Sequence, residues 1–94
     1  MVKANRKIDI NKNVSLPEYC FYLHSGQRLK NIAELMESLK NMDQDLFFYH
    51  ANERNNDFAN WINDVFGEKE LARRMRLTRH PSSMFKSIEK YLQQ

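Results

Sequence analysis

The stretch Tyr49-His50-Ala51-Asn52-Glu53-Arg54-Asn55-Asn56-Asp57-Phe58-Ala59-Asn60-Trp61-Ile62 holds the end of one helical pattern, a polar loop and the start of another. Asn55 or Asn56 can cap the second helix, because a short amide side chain accepts the orphan N–H groups of a first turn. Asp57 follows, where a carboxylate complements the positive end of the helix dipole. Phe58, Trp61, Ile62, Val65 and Phe66 then recur at i, i+3, i+4, i+7 and i+8, one apolar helical face. Gly67 supplies a left-handed stop.

Helical patterns continue on both sides. Upstream, Asp43 can cap a helix carrying Leu46, Phe47 and His50 on one side, with Phe48 and Tyr49 widening the stripe. Before that, Asn31 can cap and Glu34 can reach back to the cap amide, ahead of Ile32, Leu35, Met36 and Leu39 on one face. Downstream, a short helix from about Glu68 to Met75 buries Leu71, Ala72 and Met75. Pro81 suits the first turn of a last helix striped by Met84, Phe85, Ile88, Tyr91 and Leu92. Tyr19-Cys20-Phe21-Tyr22-Leu23 favours a strand, and Ser25-Gly26 is a turn signal because glycine tolerates positive φ. A small hairpin with Gly26 at its tip follows, and it must pack on helices to be stable.

The expected fold is mostly α (α+β): a compact bundle of four or five short helices with a small N-terminal β-hairpin. Ninety-four residues suit one core. An apolar share of 41% argues against disorder, and two glycines with two prolines argue against a turn-rich sandwich. Residues 1–17 read as a flexible basic arm and 18–94 as one helical domain, with 76–94 a basic extension helix.

The single Cys20 leaves no intramolecular disulfide, and with neither a signal-length apolar core nor a membrane-length run it fits a cytoplasmic protein off the membrane. Charge is segregated. Residues 1–40 carry seven bases to four acids, 41–70 two to seven, and 71–94 six to one. Such separation favours polar docking or self-association as readily as nucleic-acid binding, so a homo-oligomer is among the expected partners.

Four constellations carry chemistry. His50 with Asn56 and Asp57 can form a hydrogen-bonded unit that holds the ring in one tautomer, as a base requires. The plainer reading is that His50 lies on a packed face and ties down the next loop. Cys20, His24 and His50 can each ligate a metal, yet no pair has the CxxC or HxxxH spacing of a zinc site, so no metal or cofactor is expected. Arg73, Arg74, Arg76 and Arg79, followed by Lys86 and Lys90, offer forked donors for phosphate. Cations near a helix end also simply complement its dipole, and no stacking platform accompanies these. The aromatics Phe47, Phe48, Tyr49, Phe58, Trp61 and Phe66 are core at helical spacing, with Phe48 and Tyr49 the surplus; a surplus pair on the surface points to a partner.

The combination Phe21-x-Leu23-x-x-Gly26, Asn31-x-x-Glu34-Leu35, Tyr49-His50 and Asn56-Asp57-Phe58-Ala59-x-Trp61-Ile62 resembles a family of small domains found mainly in archaea. The pattern continues through Asp64-Val65-Phe66-Gly67 and Leu71-Ala72, so the resemblance runs from Glu18 to Met75. It implies that Gly26, His50, Asn56, Asp57 and Trp61 belong to the domain's defining pattern. It brings no function, substrate, cofactor or catalytic assignment.

No nucleophile with its base, paired-carboxylate site or phosphate-cradling glycine loop stands out, so no enzymatic activity is expected. The expected role is a non-catalytic protein-interaction domain whose motif is Tyr49, His50, Asn56, Asp57 and Trp61. The alternative is an RNA- or DNA-binding protein using Lys3, Arg6, Lys7 and Lys12 with Arg73, Arg74, Arg76 and Arg79.

Overall fold

A computed structural model describes residues 8–94. Lys3, Arg6 and Lys7 of the expected arm lie outside the described residues. A single 3-10 turn, Pro17–Tyr19, leads into β1 (Phe21–Tyr22) and β2 (Arg28–Leu29), then α1 (Ile32–Lys40), α2 (Gln44–His50), α3 (Asp57–Phe66), α4 (Lys69–Met75) and α5 (Pro81–Leu92). The expected architecture was four or five short helices with a small hairpin, and the described residues form five helices and one antiparallel hairpin.

The hairpin pairs Phe21 with Leu29 and Tyr22 with Arg28. Gly26 takes φ 105°, the left-handed conformation its turn requires. Burial alternates from Phe21 to His24: Phe21 and Leu23 point into the core, while Tyr22 and His24 point outward.

Helix ends follow the capping residues. Asn31 Oδ1 accepts from the Glu34 amide at 2.7 Å, Asp43 from the Asp45 and Leu46 amides, and Asn56 from the Ala59 amide at 3.0 Å. One detail differs from expectation. Glu34 reaches past the cap amide and accepts from the Lys30 amide at 2.8 Å, because its carboxylate is also drawn to Lys30 Nζ at 2.6 Å. That double hold keeps the Glu34 carboxyl below its usual range. At the end of α3, Gly67 adopts φ 70° and its N–H donates to Asn63 O at 3.0 Å, the left-handed glycine stop that the sequence predicts.

The core joins Phe21, Leu23 and Leu29 of the hairpin to buried positions on every helix: Ile32, Leu35 and Leu39, then Phe47, Phe58 and Ile62, Leu71 and Met75, and Met84 and Ile88. Each such side chain contributes about 1.5–3 kcal/mol on burial. α5 packs on α1 and α4, so the basic C-terminal segment is part of the core through Met84 and Ile88. Residues 10–14 are held at the entry to α1. Ile10 O accepts from the Ala33 amide, Val14 N–H donates to Lys30 O, and the buried Asn31 amide donates to Asn13 Oδ1 at 2.9 Å.

Candidate functional site

The loop between α2 and α3 is built almost wholly from asparagine chemistry. An isolated bridge pairs Ala51 with Asn56, and the Asn52 amide donates to Asn55 O at 2.8 Å. Asn52 Oδ1 accepts from the amides of Arg54 and Asn55, while its Nδ2 donates to Phe48 O. Asn55 Nδ2 donates to Asp57 Oδ1, and Asn55 Oδ1 accepts from Asn60 Nδ2 at 3.2 Å. These short amides replace the backbone pairing that a tight turn lacks, which fixes its shape.

His50 is 5% exposed and sits at the meeting point of three elements. Its Nδ1 lies 3.1 Å from Asp57 Oδ2 at the start of α3. Its Nε2 accepts the backbone N–H of His24, in the hairpin turn, at 3.0 Å. Because Nε2 accepts, the ring proton resides on Nδ1 and is donated to Asp57. Both ring nitrogens are therefore committed. The ring faces are covered too: Phe21 meets the imidazole edge-on at 5.1 Å and Phe58 tilts against it at 5.3 Å. Phe58 stacks in turn between Phe21 and Phe47.

The other motif residues divide between core and surface. Trp61 is buried against Phe21 and Phe66, and its indole N–H donates to Tyr19 O at 2.6 Å. That bond seats the 3-10 turn on α3. Asn56 is consumed by the cap. Tyr49 lies outside, 57% exposed, with its ring stacked on His24 at 4.0 Å. Phe48 is 51% exposed on the neighbouring position of α2. The structure thus joins Tyr49, His50, Asn56 and Asp57 at one junction with the hairpin, while Trp61 anchors the hairpin from the other side. His24 and Tyr19 were not in the predicted motif. Tyr19 contributes a carbonyl and His24 a backbone N–H beside its stacked ring, and such backbone contacts leave no residue signature.

The four arginines do not form one patch. The Glu70 carboxylate binds Arg73 through two bonds, at 2.6 and 3.0 Å, and Arg74 at 3.1 Å. Those guanidiniums hold the Glu70 carboxyl down at about 2, hydrogen bonding to Arg73 being the largest cause. Arg74 also lies over the Tyr91 ring at 5.1 Å. Arg76 and Arg79 turn the other way, towards the α2–α3 loop, and bond neutral oxygens. Arg76 Nη1 reaches Asn60 Oδ1, and Arg79 Nη1 reaches the carbonyls of Arg76 and Thr78, all at 3.2 Å.

Cys20 is half-buried with a free thiol. Among the described residues, no three His, Cys, Asp or Glu side chains gather in a group able to hold a metal. Among them, too, no helix is long and apolar enough to cross a membrane. Residues 16–91 match a family of unknown function (DUF5752), and the chain belongs to that family. The match runs past Met75, where the resemblance ended, and takes in all of α5 but Leu92. No curated protein and no solved structure matches the chain.

Proposed function

We propose that this chain is a non-catalytic interaction domain that docks a protein partner on the ring face formed by Tyr49, His24 and Phe48. The observation that carries the reading is the stacking of an exposed tyrosine on an exposed histidine over a rigid mount. Both rings stand on segments that His50 ties together, so little side-chain freedom is left to lose on docking. Tyrosine is also a favoured anchor in protein interfaces. Asp45 is exposed one turn before Tyr49 on α2, within the acid-rich segment 41–70. The partner this suits has an apolar centre and a basic rim. His50 is assigned to structure, since its nitrogens are bonded and its ring is enclosed. The single free Cys20 suits a reducing cytoplasm.

The nucleic-acid reading is weaker, because Glu70 already neutralises Arg73 and Arg74 in part and, among the described residues, no aromatic side chain lines the cleft with Arg76 and Arg79. Affinity capture from native lysate at low and high salt, with nuclease-treated controls, separates the two. A protein retained at both salts and lost from a Phe48→Ser/Tyr49→Ser variant supports docking. RNA or DNA that disappears with salt and with Arg76→Gln/Arg79→Gln supports the alternative, since phosphate binding weakens steeply with salt.

A further inference from the structure

The α2–α3 loop and the α4–α5 loop, more than twenty residues apart in sequence, face each other across a cleft of about 330 Å³. Arg54 stands at the tip of the first loop, and Arg76 and Arg79 come from the second; Asn60 and Thr78 lie between, and Glu53 is the one acid among the lining residues. No carboxylate pairs with any of the three guanidiniums among the described residues. Arg76 and Arg79 spend only Nη1 on neutral oxygens, which fixes their planes and leaves Nη2 and Nε of each to donate. Among the described residues, the hydrogen bond of Arg54 is made by its backbone N–H, to Asn52 Oδ1, and not by its side chain. The second loop is itself held in place, as Gln44 Nε2 donates to Arg79 O and Gln44 Oε1 lies 3.0 Å from His80 Nδ1. A net excess of two positive charges therefore faces one small polar space, set by three arginines against Glu53.

We infer that this cleft binds the phosphate group of a small phosphomonoester, with the rest of the ligand left in solvent. Forked guanidinium donors match phosphate oxygens in pairs. A monoester carries close to two negative charges at neutral pH, which balances the cleft; a nucleic-acid phosphodiester or a carboxylate carries one. Ala51 is the only apolar lining residue, so the site offers no surface for a base or an acyl chain. This site is separate from the ring face and does not depend on it.

The test is an NMR titration of the intact protein with inorganic phosphate and adenosine 5′-monophosphate, set against acetate and a dinucleotide lacking a terminal phosphate. Inorganic phosphate and adenosine 5′-monophosphate should both move the amides of residues 52–56 and 76–80, well ahead of the two monoanions. Arg54→Gln and Arg76→Gln should each weaken binding about tenfold or more, the loss expected when one charge-assisted contact is removed. Arg54 has no side-chain bond to lose, so its variant keeps the fold and isolates the ligand contact. Shifts absent from the cleft, equal binding by the dinucleotide, or affinity unchanged in both variants would each overturn the assignment.

Discussion

At the residue scale, His50 is one of two buried polar side chains among the described residues, and it ties three elements together. It joins α2 to α3 through Asp57 and α2 to the hairpin through the His24 amide. His50→Ala removes a packed ring and leaves a partly buried N–H without its acceptor, a loss of about 3 kcal/mol in denaturant unfolding. His50→Gln can still offer an acceptor to the His24 amide and should recover part of that loss. Tyr49→Ser, one residue earlier but exposed, should stay within about 0.5 kcal/mol of wild type. A silent His50→Ala would remove this residue's structural role. The Asp57 bond spans seven residues and was legible from a polar loop that places a carboxylate beside a helix start. The His24 bond spans twenty-six and ends on a backbone amide, so no side-chain pattern announces it.

At the element scale, the caps were legible because each is decided within four residues. Asn31, Asp43, Asn56 and Gly67 all stand where their side chains or backbone freedom are used. Gly67→Ala forces a Cβ into the left-handed region and should cost about 1 kcal/mol, read by thermal unfolding. The orientation of the arginines on and after α4 was not legible, since it turns on which neighbours the helix meets. Glu70 holds Arg73 and Arg74 and its carboxyl is lowered from 4.5 to about 2. A depressed folded-state value means that the stability from this cluster is present above pH 4.5 and lost as the pH falls towards about 2. Glu70→Gln should therefore flatten the decline of the thermal midpoint across that window. The effect is small, because the cluster is exposed and screened. An unchanged acid profile in the variant would mean that the cluster does not contribute.

At the scale of the whole molecule, one core joins a hairpin too short to stand alone to five helices too short to be stable alone. The amphipathic stripes predicted that the helices would bury their faces on one another. They left open where the loops would meet, and both the ring face and the arginine cleft arise from those meetings. His50 should make the hairpin, α2 and α3 one cooperative unit, so that the His24–Tyr49 face is presented rigidly. The His24 amide reports on this directly, because it belongs to an exposed turn residue and its acceptor is the buried His50 ring. Native-state hydrogen exchange should find this amide protected to the same free energy as core amides such as Phe47 and Ile62, which open only with global unfolding. Exchange of the His24 amide at the rate of an unprotected turn, while Phe47 and Ile62 stay protected, would mean that the hairpin opens independently and that His50 does not bind it to the core.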